Sequence, residues 1–408
     1  MNSKKAAIGF IFVTMLLDII GLGIIIPVMP KLIAALKHIS INEASKYGGS
    51  LLMAFALTQF IFSPIVGNLS DRFGRRPILL VSMLGFSVNY LILAFAPTYS
   101  WFFLGRVVAG VTGASITTAS AYIADISTNE NRQKNFGMIG AAFGLGFVIG
   151  PWLGGVLGSI NMHFPFYAAA ILCFVNFIYG YFVLPESLSK RNRRRFSWKK
   201  SNPFSSLKYL FQIKPIRYLV FAYFFLYVGG HAVQSNWPYY TMYKFKWSEF
   251  MVGNSLAVVG ILVGLVQALL IRKTSVILGN EKSVYLGFAS YSLGMLLFAL
   301  ATQGWMMFVF LIPYCLGGIS VPSLQSIIST QVPANEQGQL QGGLTSIMSL
   351  SNIVGPQLMT GMFSYFTTNS SVQLPGISFF LGALLMGSSA IITYYSLHIK
   401  KHVSQAVS

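Results

Sequence analysis

The sequence predicts an all-α polytopic membrane protein, and three observations predict it: an apolar composition, apolar windows of membrane-spanning length along the whole chain, and basic residues gathered into alternate loops. Of the 408 residues, 54% are hydrophobic and only 9% are charged, with a mean hydropathy of +0.65. A water-soluble domain built from this chain would have too little polar surface to cover its core.

Crossing the hydrocarbon takes about 20 apolar residues of α-helix. Windows of that kind fall at approximately 8–29, 47–69, 78–95, 100–124, 137–159, 163–184, 217–240, 251–271, 283–301, 305–328, 339–366 and 376–398. That makes 12 transmembrane helices. The first follows Lys4 and Lys5, exceeds a signal-peptide core in length and lacks a small-residue cleavage site, so it reads as a retained helix. With the N-terminus inside, cytoplasmic segments hold 22 of the 28 lysines and arginines, whereas outer loops hold five, Lys31, Lys37, Lys46, Lys244 and Lys246. This asymmetry places both termini in the cytoplasm. The remaining basic residue, Arg106, falls inside the fourth span.

The net charge of +19 therefore reports topology, and no nucleic-acid partner is expected. The longest connection is strongly basic from Lys190 to Arg195 and at Lys199 and Lys200, a cytoplasmic linker held near anionic headgroups. It divides the chain into an N-terminal six-helix bundle (1–184), a basic linker (185–216) and a C-terminal six-helix bundle (217–408). The halves read as parallel repeats. Gly150-Pro151 recurs as Gly355-Pro356, and the same offset of 205 relates Gly113 to Gly318, Gly137 to Gly342 and Gly74 to Gly279. Cys173 and Cys315 lie in apolar spans and read as buried packing residues.

Three constellations carry chemistry. Between the second and third spans, Gly67-Asn68-Leu69-Ser70-Asp71-Arg72-Phe73-Gly74-Arg75-Arg76-Pro77 packs one acid, three arginines and two glycines into a short hinge. Gly67 is expected at a helix end where another backbone approaches, Gly74 permits a tight turn, and Asp71 can face arginines or a helix N-terminus. Asp125, Glu130 and Arg132, at the end of the fourth span, are placed to join it; a solvated loop is an alternative for Glu130. Asp18 is the second constellation, the only carboxylate well inside a span, about 15 Å deep at 1.5 Å per residue. Arg106 lies about 9 Å deep by the same rise and is expected to reach Asp18. A buried carboxylate whose guanidinium neighbour comes and goes is a proton switch; a static ion pair fixing helix packing is the alternative. The third constellation is Gly146, Gly150, Gly154 and Gly155 around Pro151, a smooth helix face with a bend.

The hinge resembles the signature between helices two and three of the major facilitator superfamily. Leu104-Gly105-Arg106-Val107-Val108-Ala109-Gly110 resembles that family's arginine motif, and the run from Gly146 to Gly155 resembles the motif of its antiporters. Asp18-Ile19-Ile20-Gly21-Leu22-Gly23, followed by Pro27 and Pro30, is similar to the drug:proton antiporters and most similar to the tetracycline efflux group. The resemblance implies that fold, with Asp71 latching the two halves, Asp18 carrying protons beside Arg106, and the glycine run sealing against ion leak. It departs where tetracycline pumps carry a membrane aspartate in helix three, a histidine in helix eight and an aspartate in helix nine; Asn89, Val263 and Tyr291 stand there.

Polar residues expected around the substrate are Gln59, Asn89, His231, Gln234, Asn236, Trp237, Gln267, Gln325, Asn352 and Gln357, by stacking and hydrogen bonding. For each amide a helix-to-helix hydrogen bond is an equal expectation. The implied activity is export of a small amphipathic, drug-like compound, tetracycline-like compounds among the candidates, in exchange for protons, by a monomer in the bacterial inner membrane. No metal site or resident cofactor is expected, the proton gradient supplying the driving force; a metal-chelated substrate is compatible. A proton-coupled uptake symporter is the competing reading, and a polytopic enzyme or receptor is a third. Neither a nucleophile motif nor a phosphate-binding loop supports the last.

Overall fold

The computed structural model describes residues 3–406 apart from Ala114, 128–131, 195, 197, 199–203, 214–215 and 334–335. Every regular element among the described residues is helical. α1 (Ser3–Ile24) and α2 (Met29–Lys37) meet at a 48° bend. Pro30 opens α2, where a missing N–H costs nothing because that donor would lack a partner anyway. Most of the span expected over 8–29 is α1, and the window ends where α2 begins at Met29. Lys31 and Lys37 lie on α2, and Lys46 lies on α3 (Ile41–Phe73), rather than in loops. There follow α4 (Arg75–Ala94), α5 (Tyr99–Thr112), α6 (Ser115–Ile126), α7 (Arg132–Ile160) and α8 (Phe164–Val183). After the linker come α9 (Phe204–Gln212), α10 (Arg217–Gln234), α11 (Trp237–Phe245), α12 (Glu249–Leu265), α13 (Ile271–Leu300), α14 (Gly304–Leu316), α15 (Ser320–Ser329), α16 (Gln337–Thr368) and α17 (Ile377–Ala406).

By length and composition, eight described helices can cross a membrane, nine if the bent α1–α2 pair is one span. One of them, Glu249–Leu300, contains two of the expected windows and breaks from helical geometry at Gly279. α10 and α16 occupy the two expected windows richest in polar residues and fall below that apolar threshold.

The backbone repeats itself. Gly74 and Gly279 are the two positive-φ glycines among the described residues, at φ 106°, ψ 162° and φ 72°, ψ 169°, and they stand 205 residues apart. A second pair of elements corresponds too, at an offset of 208. α2 and α11 are each nine residues long, begin with a proline in the first turn, and end on a left-handed residue, His38 at φ 55° or Lys246 at φ 57°. A left-handed residue is a common helix terminator, and its recurrence at the same place in two proline-started nine-residue helices agrees with the expected repeat.

Packing divides the chain into two units. The first comprises Met1–Ala44, Ala54–Asn202 and Trp247–Gly260. In it α1 packs on α7 and α8, and α4 on α5 and α8, around Phe10, Met15, Leu79, Met83 and Tyr122. The second comprises Ser45–Met53, Pro203–Lys246 and Ile261–Ser408. In it α10 packs on α16 and α17, and α13 on α14, α15 and α17. Its core is aromatic, with Trp237 edge-on to Phe298 at 5.0 Å and Tyr240 edge-on to Phe379 at 4.7 Å. Cys173 and Cys315 are buried and unbridged.

Candidate functional site

The hinge is built around Arg75. α3 runs unbroken through Gly67, which has open space where a Cβ would stand, so the close backbone approach expected there is absent. The helix stops only at Gly74, and the turn brings Arg75 back over the residues it has just left. Arg75 Nη1 meets Asp71 Oδ1 at 2.6 Å and the Ser70 hydroxyl, while its Nε meets Asp125 Oδ2 at 3.2 Å. Arg75 is buried, so two carboxylates share one largely desolvated cation.

Glu186, just after α8, completes the network. Its carboxylate accepts from the backbone N–H of Arg75 at 2.9 Å and of Arg76 at 3.3 Å, at the start of α4. Those are N–H groups that a helix leaves without internal partners, and the helix dipole favours an anion there. A Cβ on Gly74 would strike that carboxylate and the Arg193 guanidinium. Tyr122 donates to the Pro185 carbonyl and Ser187 to Asp125, fixing the chain that carries Glu186. Sequence reasoning missed Glu186; its signal was an acid following Pro185 directly after an apolar span. Arg76 donates to the Tyr181 carbonyl at 2.7 Å, and Arg72 lies over the Phe73 ring. Glu130 and the side chain of Arg132 lie outside the described residues.

Asp18 and Arg106 are both buried, yet neither is ion-paired among the described residues. Asp18 Oδ1 is buried without a hydrogen-bond partner. Arg106 is held instead by Asn89: in the orientation that satisfies both neighbours, the Asn89 amide accepts from Arg106 Nη2 at 3.3 Å and donates to the Gly105 carbonyl. Depth in a span follows from counting residues, whereas the direction a side chain takes around its helix depends on packing, and that separates the expected pair. Tyr90 lies between them in its interactions, within electrostatic reach of both Asp18 and Arg106. Its hydroxyl abuts Gly21, one turn beyond Asp18 on the same helix face. Tyr90 was not singled out by its sequence, in which it reads as one more aromatic in an apolar span.

The glycine run of α7 has two faces. A Cβ would strike the Ile19 side chain at Gly146, the Ile20 carbonyl at Gly150 and the Ile24 carbonyl at Gly154, all on α1. At Gly155 it would meet the backbone of α12 at Glu249 and Gly253. α7 continues through Pro151, whose ring packs on Gly23. Gly154→Val is therefore expected to lower the thermal midpoint of the purified protein and its folded yield by size-exclusion chromatography, at a cost of about 1–3 kcal/mol or more. Gly140→Ala and Gly144→Ala, with open space at both positions, should leave both readouts unchanged. Equal behaviour of the three variants would refute the close-packing role. Beside this contact, Lys31 Nζ meets Glu249 Oε2 at 2.8 Å within the same unit. Glu249 is buried in the first turn of α12, so Asp18 is not the only buried carboxylate.

Few of the expected substrate residues come together. His231 Nε2 and Asn352 Oδ1 stand 3.1 Å apart between α10 and α16, with Gly355 leaving room for the ring. Gln325 donates to the Tyr223 hydroxyl, which itself donates to Tyr227. Gln59 donates to the Gly113 carbonyl and Gln357 accepts from Ser50, both helix-to-helix bonds. Asn236 and Trp237 are fully buried, the latter in the aromatic core and the former with both amide atoms lacking a hydrogen-bond partner. Gln234 and Gln267 are exposed, the latter on a short π-helical turn at Val266–Leu270.

The Major Facilitator Superfamily profile matches residues 11–356 and again 219–398. The chain is 40% identical to the class C tetracycline resistance protein of Escherichia coli over 94% of this chain and 95% of that one. It is 34% identical to the class B protein of Escherichia coli over 96% of each chain, and 30% identical to multidrug resistance protein 2 of Bacillus subtilis over 88% of this chain and 89% of the other. Among solved structures, the nucleoside transporter NupG superposes with a TM-score of 0.78 at 13% identity, covering 97% of this chain and 99% of NupG. The human organic anion transporter MFSD10 gives 0.72 at 19% identity, covering 96% and 100%. This chain belongs to the Major Facilitator Superfamily and is a multi-pass membrane transporter rather than an enzyme.

Proposed function

We propose that the protein exports a small amphipathic compound of the tetracycline type in exchange for protons, by alternating access of 12 spans in the bacterial inner membrane. The observation that carries the coupling is Asp18, a buried carboxylate with an oxygen that no protein group satisfies. Arg106, docked on Asn89, leaves Asp18 open to a proton, and the Tyr90 hydroxyl reaches α1 at Gly21, one turn beyond Asp18. The Arg75 network serves as the hinge latch. Similarity to tetracycline and multidrug resistance proteins over nearly the full chain supports export over uptake. Asn89, Val263 and Tyr291 replace the charged positions of the tetracycline pumps, which supports a smaller set of proton sites built on Asp18. A divalent cation would enter as part of a chelated substrate, because no resident metal is needed for this chemistry.

Everted vesicles from a pump-deficient bacterium test the reading. With the lumen acidified, adding tetracycline or another panel compound outside should release luminal protons, read by a pH-sensitive dye, only in vesicles containing the protein. An uptake symporter would carry protons into the lumen together with the substrate, a response of the opposite sign. A panel that elicits no release would overturn the export reading, and omitting Mg2+ tells chelated from free substrate.

A further inference from the structure

Where the linker crosses the hinge, Arg72, Arg193 and Arg194 line one cleft of about 460 Å³ together with Phe196. The linker is pinned there by a backbone bond from Arg194 N–H to the Asp71 carbonyl at 3.0 Å. The described acids nearby are largely engaged by the Arg75 network. Asp71 and Asp125 share Arg75, and Glu186 accepts from the N–H groups of Arg75, Arg76 and Leu188, standing 3.9 Å from Arg193. Arg193 Nε is buried without a hydrogen-bond partner, and among the described residues Arg72 and Arg194 pair with no carboxylate. Three planar forks line one space, those of Arg72 and Arg194 without a carboxylate among the described residues and that of Arg193 with a single long contact to Glu186 and its Nε unbonded, and such a set matches a tetrahedral oxyanion such as phosphate.

The surroundings indicate where that phosphate comes from. The cleft lies beside Phe73, where a helix long and apolar enough to cross a membrane ends, and near the end of a second such helix at Val183. Aromatic side chains are exposed around it: Phe73, Phe182 and Trp198, the last 74% exposed and edge-on to Phe196 at 5.0 Å. Exposed aromatics at helix ends mark the membrane–water interface, and basic pockets at that level hold anionic headgroups. We propose that Arg72, Arg193 and Arg194 bind the phosphate of an anionic phospholipid headgroup, tying the linker to the hinge from the membrane side.

Native mass spectrometry of the full-length protein, titrated with phosphatidylglycerol, phosphatidylcholine or inorganic phosphate, tests this. Phosphatidylglycerol should bind selectively, and Arg193→Gln/Arg194→Gln should weaken it about thirtyfold, the effect of removing two interfacial cations. Arg193→Lys/Arg194→Lys, which keeps the charge but loses the fork, should fall between; it carries the comparison if the glutamine pair does not fold. Phosphatidylcholine should respond to neither. Equal phosphatidylglycerol binding by wild type and either folded variant overturns the site. Displacement of the lipid by millimolar inorganic phosphate overturns the lipid as the source and assigns the arginines to a soluble phosphate.

Discussion

Asp18→Asn is expected to abolish protection by this protein in a pump-deficient bacterium, returning every compound of a drug panel to the susceptibility of cells without it. Asparagine has nearly the same volume, and Asp18 makes no ion pair that the change would break, so the variant should reach wild-type levels in the membrane. What it loses is the ability to hold a proton at one moment and release it at another, and an amide cannot do either. Substrate-driven proton release in everted vesicles should disappear with the protection. Arg106→Gln gives the contrast. It removes the cation from Asn89 and should alter the pH dependence of export without eliminating the proton site. Full protection by a well-expressed Asp18→Asn variant would remove Asp18 from the coupling mechanism.

Arg75→Ala should be the most destabilising single change at the hinge. It takes one buried guanidinium from Asp71, Asp125 and Ser70 together and leaves two carboxylates facing one space. Removing one partner of a buried ion pair costs about 3–5 kcal/mol, and the partial exposure of Asp71 and Asp125 places this case toward the lower end. The thermal midpoint in detergent should fall well below that of Arg72→Ala, a residue with no carboxylate partner among the described residues, for which a change within about 0.5 kcal/mol is expected. Arg75→Lys should recover part of the difference, since an ammonium keeps the charge but cannot address Asp71 and Asp125 through separate nitrogens. Identical midpoints for Arg75→Ala and Arg72→Ala would show that the network carries no stability.

Much of the fold was legible because it rests on composition and period. Apolar windows, loop charges and the 205-residue offset need no tertiary information, and the offset reappears in the backbone as paired positive-φ glycines. The turn at Gly74 was legible for a local reason, two apolar helices with a glycine between arginines. Three things were hidden because they depend on direction or distance. Glu186 lies far along the chain from Arg75, and nothing local says which helix start it will cap. Arg106 is at the expected depth, yet its azimuth on α5 sends it to Asn89. Pro27 and Pro30 were visible, but composition alone does not say whether a proline bends a span or breaks it into α1 and α2. The amides scattered along the chain illustrate the same limit, since Gln59 and Gln357 look like ligand-binding groups until their partners are known.

The paired glycines also differ in their surroundings, and that difference has a practical use. Gly74 is hemmed in by Glu186 and Arg193, while Gly279 has nothing within 4 Å of the place a side chain would occupy, and its neighbours Val276 and Ile277 are largely exposed. The same bend thus has an occupied socket at Gly74 and a vacant one at Gly279. A short epitope or fluorescent reporter inserted after Gly279 would sit at the counterpart of the hinge while touching none of its ion pairs, so movement of that end of the second half could be followed in a fully active transporter.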